Sequence, residues 1–187
     1  MSASSKLIYM VGAPGSGKST AMRMATKHLQ RLPMYDDAHV ARDLLLSSAG
    51  NTVAVELGKT RGAFAGTDAL SMSVIGQAEE YLTALPEAPP IVLAEGARLS
   101  NARFLNHALK LGMAVTVLYL DNPDAASWRA ARAEKLGKAQ SESWAKGRAT
   151  AARNLATNPP EGVKVVTVTH PDDATRKIIR ALARAES

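Results

Sequence analysis

Residues 12 to 20 read Gly12-Ala13-Pro14-Gly15-Ser16-Gly17-Lys18-Ser19-Thr20, which contains a complete G-x-x-x-x-G-K-[ST] pattern. An apolar run, Leu7 to Val11, precedes it and a helix-forming run, Ala21 to Gln30, follows. Glycines let a backbone turn tightly and aim its N–H groups inward, where a side chain would crowd a phosphate. Lys18 can reach the β- and γ-phosphates, and the Ser19 hydroxyl can ligate Mg²⁺. A helix starting here adds the positive end of its dipole. The pattern describes a cradle for ATP or GTP, with residues 12 to 20 as the nucleotide-binding set.

Further candidates fall just beyond the apolar runs, where an open parallel sheet places its ligands. Asp36 and Asp37 follow the second run, with Arg42 five residues on. A carboxylate across the γ-phosphate can take a proton from an acceptor hydroxyl. Asp36 is expected as that base and Asp37 as the cap of the next helix. Ile91 to Ala94 end in Glu95, which resembles a Walker B acid that holds Mg²⁺; Asp121, after Val117 to Leu120, has the same form and stays open as the alternative. Arg98 would point into the same crevice. The stretch from Gly58 to Asp68 offers Lys59 and Arg61 to acceptor phosphates and Phe64 to a base. Arg129 and Arg132 share one helical face and could steady the transferring phosphoryl group.

Five apolar, β-branched runs must position these groups: Lys6 to Val11, Leu32 to Tyr35, Ile91 to Ala94, Ala114 to Leu120 and Val163 to Val168. Helices are expected at Ser19 to Arg31, Asp37 to Ala49, Thr67 to Ala84, Ser100 to Leu111, Pro123 to Leu136, Ser141 to Ala156 and Pro171 to Ala185. The alternation spells βαβ units: an α/β fold with a doubly wound, parallel, five-stranded sheet. Residues 1–187 are expected to form one domain. Within it, residues 123–156 form a helical lid hairpin, in which Trp128 and Trp144 pack the two helices together. Residues 51–68 form an irregular loop on the acceptor side.

Net charge is +6 with 23 Lys and Arg against 17 acids, which favours an anionic partner. Seven Lys or Arg face two acids between Arg129 and Arg153, the charge of a phosphate-facing lid or of a solvated helix. With no cysteine, thiolate metal sites and cysteine nucleophiles are excluded. No run of eighteen apolar residues occurs, so a cytoplasmic protein without a membrane partner is expected, in the host cytoplasm if phage-encoded.

With this phosphate loop, the Asp36-Asp37 pair, Glu95 and the arginine-bearing hairpin, the sequence resembles the P-loop kinase superfamily. Within it, the sequence resembles the kinase half of phage polynucleotide 5′-kinase, which has a similar loop and a following Asp-Asp pair whose first acid is the base. That family carries an arginine three residues after the base, where this chain has His39 and places its arginine at Arg42. The run from Arg61 to Leu70 also resembles small phage kinases of 5-hydroxymethyluracil in DNA. The resemblance implies strand order 2-3-1-4-5, Mg-ATP as donor and a hydroxyl acceptor carried on nucleic acid. A free nucleotide, nucleoside or small metabolite stays open as acceptor, and so does an ATPase that phosphorylates nothing.

Overall fold

The structure is a computed structural model that describes residues 5–35, 40–60, 66–71, 73–85, 91–137 and 141–186. Its strands are β1 (Lys6–Gly12), β2 (Gln30–Met34), β3 (Arg42–Leu46), β4 (Thr52–Leu57), β5 (Ile91–Glu95), β6 (Ala114–Leu120) and β7 (Lys164–Val168). Its helices are α1 (Lys18–Thr26), α2 (Ile75–Ala84), α3 (Ala102–Lys110), α4 (Ala125–Leu136), α5 (Glu142–Thr157) and α6 (Pro171–Glu186). The strands form one sheet in the order β2-β3-β4-β5-β1-β6-β7.

β1 lies among parallel neighbours, with Met10 beside both Glu95 and Leu118. A strand buried on both faces must be apolar throughout, and the twofold alternation of side chains divides its residues between two cores. Leu7, Tyr9 and Val11 face the core that gathers Leu82 of α2, Phe104 of α3 and Ala152 of α5. Met10 faces the other, which gathers Met22 of α1 and Ile178 and Leu182 of α6. Helices on both faces make the fold doubly wound.

The sheet has seven strands where five were expected, and the expected order is altered. Four of the expected strands keep their order relative to one another, β5-β1-β6-β7. The place beside β5 belongs to β4, parallel to it with Val55 opposite Val92. β2, expected there, lies two strands further out, antiparallel to β3, which is antiparallel to β4. The helix expected over Asp37 to Ala49 is replaced by β3, and the irregular stretch expected from Asn51 contains β4. Tertiary pairing overrides the helix preference of Leu44 to Leu46, because β3 between two partners buries Leu45 fully. The expected first helix stops at Thr26, and a 3-10 turn at Thr67–Ala69 precedes α2.

One ion cluster fastens this hairpin to α1. Arg31 of β2 donates to Asp43 Oδ2 of β3 at 2.5 Å, to Glu56 Oε2 of β4 at 2.8 Å and to Thr26 Oγ1 of α1 at 3.0 Å. Asp43 and Glu56 are both buried, so each carboxylate depends on that guanidinium. Burial raises the Glu56 pKa, and Arg31 pulls it back.

Candidate functional site

The phosphate loop joins the end of β1 to the start of α1. Gly15 and Gly17 have φ of +85° and +97°, a left-handed conformation that favours glycine. They also pass under neighbouring elements. A Cβ on Gly15 would reach 2.8 Å from Arg129 Cβ, and one on Gly17 would reach 2.5 Å from Pro171 Cγ. The glycines thus shape the loop and let α4 and α6 approach it. Asn122, buried between β6 and α4, ties the two regions together: its Nδ2 donates to Ser16 O at 3.1 Å and its Oδ1 accepts from Asp124 N at 2.9 Å.

Lys18 folds over this loop, its ammonium donating to Gly12 O at 3.0 Å and Ala13 O at 2.9 Å. Burial lowers its pKa; Glu95 and Asp68 oppose that, while the charge of Arg132 adds to it. Ser19 Oγ donates to Glu95 Oε1 at 2.7 Å. Glu95 is 2% exposed, and burial pushes its pKa up to about 7 against the pull of Lys18 and Ser19. A hydroxyl and a carboxylate side by side at a helix N-terminus form a hard-oxygen pair suited to Mg²⁺, which binds through one or two protein groups and keeps waters and phosphate oxygens. Among the described residues no cluster of three His, Asp or Glu competes with that pair.

The structure places the remaining expected residues unevenly. Arg129, half-buried, and exposed Arg132 lie on α4, whose first residues cover Gly15. Asp121 accepts from Tyr119 Oη at 3.1 Å, while its own N–H donates to Val168 O at 2.8 Å. Arg42 begins β3 rather than sitting in a helix; it is buried with its guanidinium 4.6 Å from the Tyr81 ring centre, and it donates to Val40 O at 3.2 Å. Arg98 follows β5, half-buried. Lys59 follows β4, 5.6 Å above the Tyr35 ring. Asp36, Asp37, Arg61 and Phe64 lie outside the described residues. Their described neighbours meet, since Thr60 N donates to Tyr35 Oη at 3.1 Å. Trp128 points edge-on to His170 with ring centres 6.3 Å apart, and Arg148 lies over Trp144 at 5.7 Å.

Sequence reasoning missed the strap that roofs Glu95. Gly66 is held by paired backbone bonds to Lys59, and a Cβ there would reach 2.5 Å from Glu95 Oε1. The next residue, Thr67, is fully buried and donates to Glu95 O at 2.8 Å. Its Oγ1 lies 3.0 Å from Tyr9 Oη, which accepts from Leu99 N at 3.2 Å. One directional chain of bonds therefore runs Leu99 N–H to Tyr9 to Thr67 to Glu95 O. Asp68 Oδ1 accepts from Ala97 N at 2.8 Å. The only signal in the sequence was the clustering of glycines between Gly58 and Gly66.

Two solved structures align over nearly the whole chain at low likeness. One is a de novo designed protein solved in solution, with 13% identity, 98% of this chain and 93% of that chain covered, and a TM-score of 0.42. The other is a nucleolar GTP-binding protein 1 from Plasmodium falciparum, with 10% identity, 100% and 90% covered, and a TM-score of 0.33. No curated protein matches the chain. A family model does match, over residues 3–183, and on that match the chain belongs to the P-loop Nucleotide Kinase3 family.

Proposed function

We propose that the protein transfers the γ-phosphate of Mg-ATP to a hydroxyl carried on nucleic acid, such as 5-hydroxymethyluracil in DNA. The observation that carries the kinase reading is the 2.7 Å contact of Ser19 with Glu95 beside the Lys18 loop. Gly12 to Thr20 hold the triphosphate, and Lys18 leaves its two loop carbonyls for phosphate oxygens. Ser19 and Glu95 would hold Mg²⁺, which when bound would neutralise charge on the phosphates. Arg129 or Arg132 reaches the transferring group from α4. The acceptor oxygen bonds to the γ-phosphorus, the bond to the ADP oxygen breaks, and the hydroxyl proton passes to a carboxylate on the acceptor side, for which the sequence offered Asp36.

The nucleic-acid acceptor is supported by the net charge of +6 and by the cations Lys59 and Arg61 in the loop after β4. The test offers γ-labelled ATP with hydroxymethyluracil-containing DNA, DNA with 5′-hydroxyl ends, and a nucleoside mixture. Label is expected in the first. Label confined to free nucleosides would overturn the polymer reading. Replacing Lys59 and Arg61 with alanine should weaken DNA binding and flatten its salt dependence.

A further inference from the structure

The geometry points to Asp68, in place of Asp36, as the carboxylate that receives the acceptor's hydroxyl proton. This rests on the kinase reading above. Position in the sheet carries it. Strands of one sheet lie about 4.8 Å apart, and β2 is four strands from β1, which puts its end roughly 19 Å from the phosphate loop's strand. Met34 ends β2 at that outer edge of the sheet, and Asp36 lies outside the described residues. β4 instead takes the place beside β5, and Lys59 beyond its carboxyl end pairs with Gly66, which abuts Glu95.

That chain returns as the strap from Gly66 to Leu70, and the strap is fixed. Gly66 abuts the Glu95 carboxylate, Thr67 is locked between Tyr9 and Glu95 O, and Asp68 follows at once. Asp68 is exposed, and its Oδ1 is held by the Ala97 N–H at 2.8 Å. Its charge is close enough to act on both Lys18 and Glu95. The buried bonds of Thr67 to Tyr9 and Glu95 O fix the residue before Asp68, and the Ala97 N–H fixes Asp68 itself, so the exposed carboxylate is a proton acceptor on a rigid support. In the step itself, the acceptor oxygen takes the phosphoryl group, its hydrogen goes to Asp68, and ADP leaves with the electrons of the broken P–O bond.

Asp68→Asn separates this role from a structural one. The amide oxygen still accepts from Ala97 N–H, so the contact is kept while proton acceptance is lost; the lost charge is read separately through the Mg-ATP affinity. Single-turnover and steady-state transfer are compared for the parent, Asp68→Asn, Asp68→Ala and Asp36→Asn, with Mg-ATP affinity measured alongside. The expected result is a 10²- to 10⁴-fold loss of kcat in both Asp68 variants at near-parental Mg-ATP affinity, and less than tenfold in Asp36→Asn. A parental rate in Asp68→Asn overturns the proposal, as does an Asp36→Asn loss equal to that of Asp68→Asn. If the parent releases phosphate but labels no acceptor, the kinase reading fails alone. The same comparison then runs on hydrolysis, where water stands in the acceptor's place. A parent that binds Mg-ATP and turns over none of it overturns both.

Discussion

Replacing Glu95 with glutamine should stabilise the metal-free protein at alkaline pH while stopping catalysis. Glu95 pairs a 2% exposed side chain with a pKa raised from 4.5 to about 7, chiefly by burial. A group whose folded pKa is raised favours folding below its unfolded value and loses that contribution as pH climbs through the folded value. For Glu95 the window runs from 4.5 to about 7. At 1.36 kcal/mol per pH unit, ionising it in the folded protein costs about 3 kcal/mol by pH 8.5. Glutamine cannot ionise, fits the same space and can still accept from Ser19.

The assay is thermal and urea unfolding of parent and Glu95→Gln in chelator, at pH 5 and pH 8.5. The variant's advantage should be under about 1 kcal/mol at pH 5 and about 3 kcal/mol at pH 8.5, or roughly 6–12 °C in Tm for a chain of this size. With Mg-ATP the order should reverse, because only the parent carboxylate gains a cation. A gap that does not change between the two pH values, or a variant less stable at pH 8.5, would refute the reasoning that burial governs this acid.

Three other outcomes follow from particular contacts. Arg31→Met leaves Asp43 and Glu56 buried without their shared cation and should cost about 3–5 kcal/mol by denaturation at pH 7.5. The loss should shrink toward pH 5, since Glu56, with its raised pKa, takes up a proton; a loss that grows on acidification would contradict this. Gly66→Ala drives a methyl group into the Glu95 carboxylate and should cost about 1–3 kcal/mol, with weaker Mg-ATP binding by calorimetry; unchanged stability would show that the strap yields. Trp128, 40% exposed beside Gly17 and His170, should report nucleotide binding by fluorescence, a signal that Trp128→Phe removes and Trp144→Phe retains.

The donor half of the site was legible because its chemistry dictates residue types at fixed spacing. Gly15, Gly17, Lys18 and Ser19 must follow one another, whatever the rest of the fold does. β1, β5 and β6 were legible for a related reason, since strands buried on both faces leave continuous apolar runs, and β7 at the edge keeps a valine-rich run. The acceptor half was not. Thr52 to Leu57 alternates β-branched residues, yet Glu56 within it and Asp43 within β3 break the apolar signal. Those charges are tolerated because Arg31 reaches both across three strands, a pairing that no local window contains. The misplacement of β2 follows from the same omission: without β3 and β4, the second apolar run had nowhere to pair except beside β5.

The two helices expected to form the lid differ in how firmly they are held, and that difference bears on which could close. α5 has Ala145 and Ala152 buried, and Leu155 and Ala156 pack on the core shared with β1 and β6. Lifting it would expose that core. Among the described side chains of α4, Ala125 alone is fully buried; Arg132 and Lys135 are exposed and Arg129 is half-buried over Gly15. Moving α4 therefore uncovers little apolar surface, at about 25 cal/mol per Å². Its start stays tied to the loop through Asn122 and Ser16, while Gly137, at φ +62°, ends it in a left-handed turn. α4 is anchored over the phosphate loop at its start, where Ala125, Trp128 and Arg129 meet the loop glycines, and it carries Arg132 on its exposed side. Of the two helices expected to form the lid, α4 is thus the more lightly held and α5 the one packed on the core.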